Sequence, residues 1–245
     1  MKKEIHRWYS DRLGRDMTVN VYGHYGLPIL VFPDVSGNCD DFERFQMLDT
    51  AASFIESGKI KLYCVDSIDH ETWCNPVADD HFIDQRHTAF HRYITDEVVL
   101  FIYDNCHGKQ PIFTLGCGLG AFHAANFFFR EPDIFDGTLS LSGTYDVKTI
   151  LQRNYQDEQL YFNSPLDYLR NISDSWYISR YRLGTIIISA CQGPDEQLSL
   201  TETKQMSAIL HDLGIEHWCD IWGHESQPNW FWWRKQLAHF LPCIV

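Results

Sequence analysis

The segment with the clearest chemical signature is Pro-Ile-Phe-Thr-Leu-Gly-Cys-Gly-Leu-Gly-Ala-Phe-His-Ala-Ala-Asn-Phe, residues 111–127. An apolar run leads into glycines at alternate positions, Gly116, Gly118 and Gly120, and then directly into a helical pattern. In this strand–turn–helix context a G-x-S-x-G motif lifts a serine hydroxyl above a sheet for attack on an acyl carbon. Here Gly118 stands at the serine position. The central residue of such a turn adopts a strained positive φ, which glycine takes without a Cβ penalty. Gly118 is therefore expected to keep the turn and to remove its nucleophile.

Other groupings compete for a chemical role. Cys117 adjoins the turn, but the preceding position normally faces away from the pocket, and reactivity needs a thiolate with a paired base, so a buried structural thiol is favoured. Gly116, Gly118 and Ala121 also fit a G-x-G-x-x-A dinucleotide fingerprint, the basis of an alternative reading as a nicotinamide-binding oxidoreductase. The acid expected at the end of the following strand is missing, since Leu141-Ser-Gly143 stands there and Asp146 comes later. His81, His87 and His91 lie near Asp79, Asp80 and Asp84, and His87 and His91 share the i, i+4 spacing of metal ligands on one helix face. The intervening residues lack a metalloprotease glutamate, which favours surface or rim histidines and no metal. Asp66, Asp69, His70 and Trp73 follow a strand and suit either a pocket rim or a loop held by side-chain-to-backbone bonds. Trp230, Trp232 and Trp233 read as core anchors, with Trp230 beside Pro228 as a candidate pocket wall.

Short apolar runs that alternate with amphipathic stretches must position these groups. Strands are predicted at 17–22, 28–32, 60–65, 111–115, 137–141, 185–190 and 217–222. Helices are predicted at 40–54, 85–105, 119–130, 173–181, 197–213 and 229–241, with Gly214 as a left-handed stop. The pattern predicts one α/β domain over 1–245, with a mostly parallel sheet covered on both faces. An antiparallel N-terminal meander is expected, and a small cap or rim insertion near 147–170. The formal charge of −13, from 20 Lys and Arg against 33 Asp and Glu, argues against a nucleic-acid or anionic-membrane binder. No apolar run approaches the roughly 18–20 residues of a membrane span. The basic start, Met-Lys-Lys-Glu-Ile-His-Arg, has no apolar stretch behind it, which predicts no signal peptide. Eight scattered cysteines without a C-x-x-C pair point to reduced thiols and a cytoplasmic setting.

The chain resembles the putative-esterase branch of the α/β-hydrolase superfamily, the esterase D-like group. The resemblance rests on Tyr22–Pro33 (YGHYGLPILVFP), 54–60 (FIESGKI), 64–69 (CVDSID) and 93–98 (YITDEV). It continues through 124–130 (AANFFFR), 141–146 (LSGTYD), 161–165 (YFNSP) and 230–237 (WFWWRKQL). It implies an α/β-hydrolase fold with a Ser nucleophile, an acid after the penultimate strand and a His before the last helix. Against that pattern Gly118 is a degenerate nucleophile position, and Asp195 or Glu196 fills the acid position. Pro228 stands where the His is expected, and His224 lies four residues earlier. The resemblance further implies an oxyanion hole from the Leu119 N–H and one donor of the 34–38 loop, Val35 or Ser36, with Asp69 and Trp230 near the pocket.

Losing a serine nucleophile or its base costs on the order of 10⁶ in turnover. The expectation is an esterase homologue without normal ester hydrolase activity that keeps a small-molecule pocket for an ester-like ligand. It would need no cofactor, and a homo-oligomer is compatible with it. The alternative that keeps it a carboxylic-ester hydrolase uses another nucleophile, or a water activated by His224 with Asp195 or Glu196.

Overall fold

The computed structural model describes residues 1–245. Eight strands form one sheet: β1 (Lys3–Ser10), β2 (Arg15–Tyr22), β3 (Leu27–Phe32), β4 (Ile60–Val65), β5 (Ile112–Cys117), β6 (Phe135–Leu141), β7 (Thr185–Ala190) and β8 (Trp218–Ile221). Their spatial order is β1-β2-β4-β3-β5-β6-β7-β8. From β4 to β8 neighbours are parallel, whereas β2 runs antiparallel to both β1 and β4. The N-terminal part is therefore not a simple meander, because β4 lies between β2 and β3.

Eleven helices surround the sheet. They are α1 (Asp41–Arg44), α2 (Met47–Glu56), α3 (Asp80–Tyr93), α4 (Val99–Asn105), α5 (Leu119–Arg130) and α6 (Val147–Leu151), then α7 (Glu158–Tyr161), α8 (Pro165–Tyr168), α9 (Ser175–Tyr181), α10 (Gln197–Asp212) and α11 (Trp230–Ile244). Strand alternation sends successive side chains to opposite faces, and both faces are dry. On β3, Leu30 and Phe32 join a core with Phe90, Phe127 and Met206 from α3, α5 and α10. Ile29 and Val31 join the opposite core with Met47 and Ile55 from α2 and Trp233 and Phe240 from α11. The α5 helix is buried from Gly120 to Phe129, as a helix apolar on every side must be. The Thr114 and Ser140 hydroxyls donate to its Ala124 and Ala121 carbonyls at 2.9 and 3.0 Å, pinning it to the sheet.

Several predicted boundaries are corrected. The helix expected at 40–54 is broken at Gln46, whose left-handed φ of 62° separates α1 from α2. The helix expected from 85 starts at Asp80, where the Asp79 carboxylate accepts the Phe82 N–H at 2.8 Å. It passes through a π-helical turn, Ile94–Val98, into α4. That turn presents Glu97, which accepts from Trp8 Nε1 and Ser10 Oγ, both at 2.8 Å, and so ties the unforeseen edge strand β1 to the body. The 147–170 segment consists of the short helices α6, α7 and α8. The Glu202 carboxylate anchors its base by accepting the Asp146 N–H at 2.9 Å and the Tyr145 N–H.

Strand order places a crevice. The chain leaves β3 toward β4 on one side, and leaves β5 toward β6 on the other. The loops after β3 and β5 therefore diverge at a topological switch point, where α/β sheets bind ligands. Asp34 lies in the first of these loops and Gly118 in the second.

Candidate functional site

Gly118 adopts φ 56° and ψ −120° between β5 and α5, and its N–H donates to the Leu141 carbonyl at 2.9 Å. The flanking glycines leave no room for side chains, since a Cβ on Gly116 would overlap the Gly120 carbonyl and one on Gly120 the Phe32 carbonyl. The turn is tight and carries no side chain at residue 118.

The space above it is filled from within. Asp34 projects across the crevice, and its Oδ1 accepts the Leu119 N–H at 3.0 Å. A Cβ on Gly118 would overlap that same oxygen. Burial pushes the Asp34 carboxyl above the usual range; the N–H groups of Val35 and Leu119 draw it back, and Asp41 and Asp69 push it further up. The Leu119 N–H expected to receive an oxyanion therefore already holds a carboxylate. Val35 is exposed, and Ser36 is exposed with φ 56°. The sequence signal for Asp34 was its place directly after the β3 strand end, but side-chain direction is not written there.

The residues expected to supply an acid and a base, Asp195, Glu196, His224 and Pro228, make no hydrogen bond to one another. Asp195 is exposed. Glu196 is buried just before α10, and neither of its oxygens has a hydrogen-bond partner. Burial raises its carboxyl above the usual range. His224 is exposed and makes no bond to Glu196. Pro228 precedes Asn229, whose Oδ1 caps α11 by accepting from Phe231 N at 3.1 Å and Trp232 N at 3.3 Å. Trp230 stacks on Phe45 at 4.3 Å and meets Trp233 edge-on at 5.0 Å, so it is an aromatic anchor. Trp233 Nε1 in turn donates to Ser142 Oγ at 3.0 Å.

Beneath the crevice lies a buried pair. Asp69 Oδ1 accepts from His123 Nε2 at 2.8 Å, with both side chains at most 2 % exposed. His87 stacks on His123 at 5.7 Å, and Trp73 meets His87 edge-on at 4.8 Å. Asp69 and Trp73 are therefore core residues and not a pocket rim. Asp66 takes the loop role instead, its carboxylate accepting Thr18 N at 3.0 Å and Cys39 N at 3.2 Å. The surface reading of His87 is also corrected. It falls on the inward stripe of α3 with Ile83 and Phe90, and burial holds its ring well below the ordinary histidine range. His81 is exposed, and His91 turns to Glu131 at 3.1 Å, so the three histidines do not converge. No three His, Cys, Asp or Glu side chains gather in metal-binding geometry. Cys117 points into the core with Leu139 and Trp233, and burial drives its thiol far up.

Residues 10–241 match the family described as "Putative esterase". The chain belongs to that family. The esterase-family fold is shared with solved structures of low sequence identity. A ferulic acid esterase superposes with a TM-score of 0.74 at 14 % identity, covering 99 % of this chain and 97 % of that one. An S-formylglutathione hydrolase from Agrobacterium tumefaciens gives 0.72 at 11 % identity, covering 98 % and 93 %. MPT51 from Mycobacterium tuberculosis gives 0.75 at 12 % identity, covering 100 % and 98 %. No curated protein matches by sequence. No helix of this esterase-family chain is long and apolar enough to cross a membrane.

Proposed function

We propose that this α/β-hydrolase homologue binds a small molecule without hydrolysing esters by a serine mechanism. The observation that carries the reading is the Asp34 carboxylate seated over Gly118 on the Leu119 N–H. A serine hydrolase stabilises a negative oxygen with that donor. Here the donor is spent on a fixed anion, whose charge opposes a second one nearby. The absence of a side chain at 118 removes the nucleophile, and Pro228 offers no base.

The test is turnover of 4-nitrophenyl acetate by the purified chain, with a fluorophosphonate probe as a second readout. Ordinary enzymes turn over at about 10 s⁻¹. Losing the nucleophile removes on the order of 10⁶ of the acceleration, so the chain should be indistinguishable from a heat-treated control and unlabelled. Turnover near that of ordinary enzymes, abolished by His224→Ala or Glu196→Gln, would refute the proposal.

A further inference from the structure

At the far end of α5, about 17 Å along the helix from Gly118 at 1.5 Å per residue, lies a cleft of about 430 Å³. Six aromatic rings line it: Phe129, Tyr161, Phe162, Tyr168, Tyr177 and Tyr181. Arg130 also lines it and has no carboxylate within salt-bridge distance; of the other unpaired arginines, Arg92, Arg170, Arg180 and Arg182 are exposed to water and Arg234 donates to the Phe45 carbonyl. Its one side-chain bond is to Asn163 Oδ1, a neutral acceptor that Asn126 Nδ2 also uses, at 3.2 Å. Burial works against the Arg130 charge, and Glu131, Asp84 and the neighbouring tyrosines support it only at longer range.

A partly buried guanidinium whose only side-chain partner is neutral leaves most of its fork, which suits a planar anion, without a counterion. The other charged groups at the cleft do not supply one. Glu131 turns to the His91 ring at 3.1 Å, and the exposed Asp174 accepts the Trp176 N–H at 2.8 Å as the cap of α9. The two carboxylates near the single cation repel any added anion, and a dianion about twice as strongly as a monoanion, so the Arg130 contact must outweigh them. The tyrosine hydroxyls are mostly committed elsewhere, as with Tyr181 to the Phe129 carbonyl at 2.5 Å and Tyr168 to Asn126 Oδ1 at 3.2 Å. The walls therefore offer ring faces.

We propose that this cleft is a binding site for an aromatic carboxylate, its ring against the aromatic walls and its carboxylate on the Arg130 guanidinium. The site is separate from the crevice at Gly118 and does not depend on the reading given to it. Rings stack on rings, and a charge-assisted pair inside the cleft replaces the missing counterion.

Titration of the full chain with 4-hydroxybenzoate and with neutral 4-hydroxybenzamide, followed by NMR, tests the assignment. The carboxylate should bind at least about tenfold more tightly, the size of one good charge-assisted contact. Phenyl phosphate, with nearly two charges, should bind more weakly than 4-hydroxybenzoate. Arg130→Gln should erase the preference for carboxylate over amide, and Phe162→Ala at the rim should weaken both probes alike. Should Arg130→Gln fail to fold, Arg130→Lys carries the test, with a loss for 4-hydroxybenzoate and none for the amide. Equal affinity for the two probes, binding of neither at about 10 mM, or a preference that survives the Arg130 variant would overturn the proposal.

Discussion

Gly118→Ser is the substitution a simple view of the family would choose to restore chemistry, and the structure predicts that it damages the fold. A side chain in the positive-φ turn costs roughly 1–2 kcal/mol. The new Cβ overlaps Asp34 Oδ1, so the carboxylate must leave its bond to the Leu119 N–H. A hydrogen bond to a charged group contributes about 1.5–3 kcal/mol, part of which returns when the carboxylate regains water. The net loss is about 2–4 kcal/mol, equivalent at this length to a fall in Tm of about 5–15 °C. Asp34→Ala in the same chain removes the clash, leaving only the backbone part of the cost. A double-mutant cycle measured by urea unfolding should therefore give a coupling of about 1–2 kcal/mol in favour of the pair. Additivity within about 0.5 kcal/mol would mean that the Asp34 carboxylate does not fill the space over residue 118.

Other outcomes follow from the same geometry. The combined variant Gly118→Ser, Asp34→Ala, Pro228→His should gain measurable 4-nitrophenyl acetate hydrolysis where Gly118→Ser alone gains none, because an unassisted serine is a weak nucleophile; equal rates for the two would contradict this. Burial raises the Asp34 carboxyl, so in the window between the ordinary carboxylate range and its raised native value the folded chain binds more protons than the unfolded one. Stability from this group is present below that window and is lost as pH rises through it. The stability of Asp34→Asn relative to the parent should therefore grow from about pH 4 to about pH 7 in urea melts, and the opposite slope would place the carboxyl below its ordinary range. His123→Phe strands the buried Asp69, whose Oδ2 is already without a partner, and should cost about 3–5 kcal/mol; a loss under about 1 kcal/mol would show that the pair is not buried as described. Under native conditions Cys117 should resist alkylation while the exposed Cys243 reacts, as read by peptide mass mapping.

The interior of the sheet was legible because its local signals agreed. The strands 60–65 and 185–190 and the helix 119–130 coincide with β4, β7 and α5, each a largely apolar segment with turn residues at its borders. Edge strand β1 escaped notice because most of its residues are exposed or only partly buried, leaving little apolar contrast to read. The break at Gln46 carries no glycine or proline to announce it. Ile83, Phe90 and Ile94 mark the helix face of His87 as inward, a periodic signal with which the metal-like i, i+4 spacing to His91 competes. At the crevice the missing side chain of Gly118 was visible, while the direction of Asp34 depends on how two distant loops meet and could not be.

The seated carboxylate also bears on how such a site changes through time. A serine at 118 alone meets a clash, and a histidine at 228 alone supplies a base with nothing to activate. Removing Asp34 alone empties a donor that no nucleophile uses. Each single step toward hydrolysis is thus neutral or harmful, and only their combination yields a selectable gain. On the function proposed above, the internal anion works as a ratchet: with Asp34 in place, no single substitution at 34, 118 or 228 opens a serine mechanism.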